Sequence, residues 1–371
     1  MSYPTFARHL TIFPTLSPVV HFQKRSESLP FPLNQKSCRT YSLARHAIWN
    51  VCHALGLKST DTVLVPAYHH GSEIEALIKA GLQIRYYELN LNLEPEQDML
   101  ESLLSPDVRA LYIIHYLGFP QHAAYWRKWC DDRGLLLMED AAQAFLATQD
   151  GQPLGSFGHM GVFCLYKTYG LPDGAAIISM PPVPAPDAGV KSGAWRLFKR
   201  HFHWMAQQYS SFGFLRQRSE PFLSRFRNSK DGPNEDFYLG NPSTPPSMLT
   251  SQLLSQVADE KTAQRRRENY LVLLKHLHKL VPAPFASLPE GASPFAFPIE
   301  IENAKEFLSR LHKYGVIGFL FWLYNHPSLP VDNLARSRAL RERIVALPVH
   351  QELTPSHLQQ IVEAVNKAIS I

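Results

Sequence analysis

Residues 42–165 alternate between two patterns, and that alternation restricts the chain to a narrow set of folds. Short runs of strand-forming β-branched, aromatic and aliphatic residues, at 62–65, 83–88, 109–115, 135–138 and 161–165, are separated by segments of helical periodicity at 42–57, 73–81 and 123–133. Such alternation predicts parallel strand-helix-strand units with right-handed crossovers, with a site outside the carboxyl ends of the strands. Polar residues collect at those ends. One run stops at Tyr68-His69-His70-Gly71, another at His115-Tyr116-Leu117-Gly118, and a third at Glu139-Asp140. The run at 161–165 hands over a single lysine, Lys167, ahead of a Gly/Pro turn at 170–174.

The chain has 371 residues, 45% hydrophobic and 19% charged, which is the balance of a folded protein with more than one core. We expect an irregular, proline-bearing arm at 1–37, a large domain at 38–248 and a small C-terminal domain at 249–371. The last would hold a long helix at 249–280, strands at 295–299 and 316–323, and helices at 304–314 and 355–369. A proline-rich linker at 180–186 precedes a basic and aromatic segment at 191–230 in which Glu220 is the single acid. Such a segment grips an anionic ligand or partner, or docks on the body by its aromatic face; no nucleic-acid-binding fold surrounds it. The N-terminus lacks the apolar core of a secretory signal, no run is long enough to span a membrane, and the four cysteines form no disulfide or metal pattern. The expected location is therefore the cytoplasm.

A strand-end aspartate and a strand-end lysine in one site suit pyridoxal 5'-phosphate, held as a Schiff base on Lys167 with Asp140 paired to the pyridinium nitrogen. Freed by the incoming amine, Lys167 would serve as the base. Gln143, three residues after Asp140, shares its face if a helix starts there, and then donates to the phenolic oxygen or is a polar helix-start residue. His70 stacks on the ring or is a solvated loop histidine. Cys164 is a buried strand residue or a neighbour of the phosphate. Ser42 would cap the helix over 42–57, whose amino end is either a phosphate site or an ordinary capped terminus.

With those residues in place, the chain resembles the DegT/DnrJ/EryC1/StrS family of pyridoxal-phosphate enzymes, nucleotide-sugar aminotransferases of fold type I, like aspartate aminotransferase. The resemblance rests on ARHAIWNVCHALGL, VLVPAYHHGSEIEALIKAG, H-x-x-G-x-P at His115, Gly118 and Pro120, EDAAQA at 139–144, the strand reaching Lys167, and ALPVHQELT at 346–354. It implies Lys167 as the Schiff-base lysine, Asp140 as pyridinium partner, Gln143 near the phenolic oxygen, His70 at the stacking position, and Ala44 and Arg45 at the phosphate loop. It also implies a homodimer, an amino-acid donor such as glutamate, and a keto group on a nucleotide-linked or phosphorylated sugar as acceptor. Three departures stand out: Cys164 in place of a serine, Pro172-Asp173-Gly174 in place of the usual Gly-Glu-Gly-Gly turn, and no Asn and Arg around Pro245-Pro246-Ser247. Rival expectations are a degenerate member that binds cofactor or sugar without turnover, and elimination or racemisation on the same lysine.

Overall fold

The computed structural model describes residues 8–213, 237–330 and 334–370. Its centre is a seven-stranded sheet ordered β1-β9-β8-β5-β4-β2-β3. The strands are β1 (Arg39–Tyr41), β2 (Thr62–Pro66), β3 (Gln83–Tyr87), β4 (Val108–Ile114), β5 (Leu136–Asp140), β8 (Met160–Cys164) and β9 (Ala175–Ser179), with a small hairpin of β6 (Thr148–Gln149) and β7 (Gln152–Pro153) between β5 and β8. Strands β3, β2, β4, β5 and β8 run parallel, as the alternation predicts, while β9 and then β1 close one edge antiparallel. The β2 and β8 side chains are buried throughout, which is why these runs read as continuously apolar. Helices α1 (Ala44–Ala54), α2 (Ser72–Lys79), α3 (Gln97–Ser102) and α4 (Ala123–Asp131) connect them, and α5 (Leu165–Tyr169) carries the chain from β8 toward β9.

Next come α6 (Ala194–Gln208), α7 (Met248–Val257) and α8 (Lys261–Leu277). An antiparallel sheet ordered β10-β12-β11 follows, from β10 (Phe297–Glu300), β11 (Phe319–Leu320) and β12 (Ile344–Leu347), with α9 (Ala304–Lys313), α10 (Ala335–Arg343) and α11 (Pro355–Ile369) around it. A continuous apolar cluster runs from Val63 and Leu111 in the large sheet through Tyr270 to Phe297 and Val345 in the small one. The arm lies on the body: Leu10 bridges Val316 through bonds to Gly315 O and from Ile317 N, both 2.8 Å.

Several expectations need correction. The helix expected over 249–280 is two helices, because α7 ends at extended Ala258 and the Asp259 carboxylate then accepts the Lys261 N–H (2.8 Å), opening a new terminus. Residues 141–147 form turns, so the condition under which Gln143 would share a helical face with Asp140 is not met. Asp140 Oδ1 takes the Ala142 N–H (2.8 Å), an alternative to the helical bond that short acidic side chains offer. Ser42 does not cap α1: the N-cap is Leu43, which makes no side-chain bond, and Ser42 Oγ faces His46 Nδ1 at 3.0 Å. The strand expected over 316–323 shrinks to β11, since Trp322 turns into the left-handed region (φ 62°). Strand β9 directly follows the Gly/Pro turn at 170–174 and is not among the strands expected from the sequence. Residues 214–230 of the basic and aromatic segment, with Arg216, Arg218, Arg225 and Arg227, lie outside the described residues.

Candidate active site

Strand β5 ends on two carboxylates that point to different fates. Glu139 is wholly buried and structural: it accepts from His115 Nε2 (3.1 Å), Gly155 N (2.9 Å) and Gly158 N. His115 Nδ1 in turn accepts the Gln121 N–H (3.1 Å), so the ring carries its proton on Nε2. Asp140 faces a cavity of about 170 Å³. Its Oδ2 accepts from the Tyr112 hydroxyl at 2.7 Å and its Oδ1 from the Ala142 amide. Burial pushes the Asp140 pKa up, and the charge of Glu73 adds to this; the two hydrogen bonds and the Lys167 ammonium pull it down. A carboxylate so held is ready for a cation.

Lys167 lines the same cavity, together with Gln143, His70, Ala44, Arg45 and Cys164. All seven residues singled out from the sequence therefore meet in one place. Lys167 sits on α5, not at a strand end, and α5 stops at Gly170 in the left-handed region (φ 67°). Its Nζ lies 5.8 Å from the centre of the Phe295 ring, within cation–π range. Gln143 Oε1 accepts the Leu117 N–H at 2.8 Å, which leaves the amide NH2 as its donor. Leu117 itself has φ 54°, and a Cβ on neighbouring Gly118 (φ 87°) would lie 1.9 Å from Ser293 O. The Gly of H-x-x-G-x-P thus permits a close backbone approach that fixes Gln143. Cys164 is buried, and burial raises its thiol pKa while Lys167 opposes the rise.

The start of α1, with Leu43, Ala44 and Arg45, also lines the cavity, and no side chain caps its first turn. An uncapped helix start with a lysine in the same cavity is the electrostatic setting of an anion site. This arrangement fits a compound with a cationic ring, a carbonyl that condenses with an amine, and a phosphate.

Several wall residues escaped the sequence reading. Phe13 arrives from the arm, Tyr166 from α5, Phe295 from the loop before β10, and Phe319, Phe321 and Trp322 from around β11. Glu73 holds the His70 loop, accepting from His70 N (2.8 Å) and Gly71 N (3.2 Å). Arg266, 1% exposed, donates to Lys167 O (3.0 Å), Thr168 O (2.9 Å) and Gln351 Oε1 (2.9 Å), binding α5 to α8. It shares helical phase with buried Tyr270, Leu273 and Leu277, a signal that would have separated it from Arg265 and Arg267. Two departures from the family pattern touch one another: Asp173 Oδ1 accepts from Ser247 N (3.0 Å), Ser247 Oγ (3.0 Å) and Thr250 Oγ1 (2.7 Å). A larger cleft of about 710 Å³ near Glu94, Gln121 and Glu290 gathers none of the seven, so chemistry and not size selects the site. Among the described residues no cluster could hold a metal ion.

Residues 32–179 match the model of the DegT/DnrJ/EryC1/StrS aminotransferase family. The GDP-perosamine synthase of Vibrio cholerae is 25% identical over 150 residues, a match that spans 40% of this chain and 41% of that relative. The dTDP-4-dehydro-2,3,6-trideoxy-D-glucose 4-aminotransferase of Saccharopolyspora spinosa is 22% identical over 336 residues, 87% of this chain and 82% of that protein. In fold, the sugar aminotransferase CalS13 from Micromonospora echinospora superposes with a TM-score of 0.64 at 18% identity, covering 96% of this chain and 99% of that one. The α/β fold is accordingly the one that structure shares, and residues 32–179 carry a match to the DegT/DnrJ/EryC1/StrS aminotransferase family.

Proposed function

We propose that this protein is a pyridoxal 5'-phosphate-dependent aminotransferase that moves an amino group from an amino acid, glutamate being the natural donor, to a keto group of a nucleotide-linked sugar. The observation that carries this reading is the convergence of Lys167 and Asp140 on one buried cavity beside the uncapped start of α1. The family-model match over residues 32–179 and the sugar-nucleotide relatives support it.

When bound, the cofactor supplies an electron sink that stabilises negative charge on the substrate carbon. Lys167 Nζ would be its attachment point and, once displaced by the donor amine, the base that carries a proton to and from the reacting carbon. Asp140 would keep the ring nitrogen protonated, since a cation opposite it removes the cost of burying its charge. Gln143 would donate from its NH2 group toward the phenolic oxygen, and His70, held by Glu73, would lie against the ring. The first-turn amides of α1 at Ala44 and Arg45 would receive the phosphate, with Cys164 as an apolar neighbour. Residues 38–248 would then be the cofactor-holding domain and 249–371 the smaller one that completes the wall. A homodimer in the cytoplasm is part of the same reading.

Purified protein should bind the cofactor with a visible absorbance that borohydride fixes and Lys167→Ala removes. Protein that stays colourless with added cofactor would refute the reading. Mixed with glutamate in a single turnover, the loaded protein should lose that absorbance as the amine is transferred. An unchanged spectrum would favour the second reading, a member that binds without turnover, for which the Asp173–Ser247 substitution of family residues is the supporting observation.

A further inference from the structure

The outer face of α6 is unlike the rest of the surface. Leu197, Ala206 and Gln207 face the body, and Arg200 and His201 bond the arm at Pro14 O (3.5 Å) and Leu16 O (2.9 Å). Trp195 (66% exposed) and Phe198 (55%) face outward and, with Phe202, stack in a row at 5.6 and 6.5 Å. The His21–His201 contact (3.2 Å) joins this helix to the short 3-10 helix at Pro18–Phe22, which presents Val19 (58%) and Phe22 (88%). Exposed cations accompany these side chains: Lys24, Arg25, Lys191, Arg196 and Lys199. The acids nearby are few. Between Asp187 and Glu220 the sequence has none, exposed Glu27 follows Arg25, buried Asp173 is engaged by Arg196 (3.4 Å), and Asp259 and Glu352 share a groove beside Ser17 and Val20 with Arg265. Lys199 Nζ lies 5.2 Å over the Trp195 ring, its stem along the aromatic surface.

We propose that this face docks on an anionic lipid surface, seating the protein peripherally on a membrane. A helix lying along the body with aromatic and aliphatic side chains outward and cations among them matches the boundary between acyl chains and negative headgroups. Among the described residues no helix is long and apolar enough to cross a membrane, so the attachment is interfacial and reversible. A second copy is the poorer occupant, because a two-fold interface would set this cationic face against itself with few acids to neutralise it. Single-stranded nucleic acid is poorer too, since the Trp195 and Phe198 rings are already stacked on each other (15° between planes).

The test is co-sedimentation of the full-length, cofactor-loaded protein with vesicles of phosphatidylcholine alone or mixed with phosphatidylglycerol, at low and high salt, alongside sedimentation velocity for oligomeric state. The wild type should bind the mixed vesicles and not the neutral ones, with binding weakened by salt. Lys191→Gln/Lys199→Gln should weaken it roughly twenty-fivefold, at about fivefold per cation. Trp195→Ala/Phe198→Ala should weaken it at least about tenfold. Both variants change exposed residues, and their thermal unfolding, cofactor absorbance and oligomeric state should match the wild type. No binding to mixed vesicles, equal binding to neutral ones, or binding indifferent to the Trp195/Phe198 pair would overturn the proposal. So would a Trp195/Phe198 variant that loses its oligomeric state, which would assign the face to a second copy.

Discussion

Replacing Arg266 by methionine keeps the aliphatic packing of a side chain buried to 1% exposure and deletes its guanidinium. That group donates to Lys167 O, Thr168 O and Gln351 Oε1 at 2.9–3.0 Å and reaches Pro294 O at 3.4 Å. Burial lowers its pKa to about 10, so it is a cation at neutral pH. Thr168 O keeps a second donor in Gln351 Nε2 at 2.9 Å, so the substitution strips Lys167 O and Gln351 Oε1 most severely. Each buried acceptor left without a donor costs about 1–3 kcal/mol. Removing a desolvated charge returns part of that, giving an expected loss of about 2–4 kcal/mol. Urea unfolding of the cofactor-free protein reads this loss directly. Because the stripped Lys167 carbonyl belongs to the short helix that carries the Lys167 side chain, the variant should also attach pyridoxal 5'-phosphate more slowly, measured as absorbance fixable by borohydride. Arg266→Lys, which retains the charge and part of the bonding, should fall between. A loss below about 1 kcal/mol together with wild-type attachment would refute the idea that Arg266 positions α5.

Other substitutions probe the same region. Asp140 has a folded pKa raised above its unfolded value of 3.8, so its ionisation weakens the cofactor-free fold as pH rises through the folded value. Asp140→Asn should therefore unfold at a higher temperature than wild type at neutral pH, with the advantage vanishing below the unfolded value, while its cofactor affinity falls. Gly118→Ala should destabilise by about 3 kcal/mol or more, since its Cβ meets Ser293 O at 1.9 Å and φ is 87°; a near-neutral urea midpoint would contradict this. His350 is buried and holds its proton only below about 3, against 6.5 unfolded, so stability should fall as pH drops through that window. A His350→Gln variant should show a shallower acid dependence by thermal melts.

The parallel core was legible because its signals are local: a continuously apolar run means a strand buried on both faces, and 3.6-residue periodicity means a helix packed by one side. Lys167, Asp140, Gln143, His70, Ala44, Arg45 and Cys164 were legible because the carboxyl ends of parallel strands and the helix starts beside them converge. The errors arose where side chains competed with the backbone. Asp140 took the Ala142 amide and made a turn, so Gln143 shares no helical face with it, and Asp259 divided one helix into two.

Sequence alone thus determined the alternation, the order of the parallel segments' polar ends and the residues able to make a lysine–aspartate site. Tertiary structure decided how that site is enclosed and held. Phe13, Phe295 and Trp322 reach it from three separate segments, and contacts between residues so far apart leave no periodic mark on a single chain. Arg266 looked like one of three solvated arginines. Only the arrival of the Lys167 and Thr168 carbonyls and of Gln351 beside it explains a buried cation there, because carbonyls of this kind are backbone oxygens that every residue possesses.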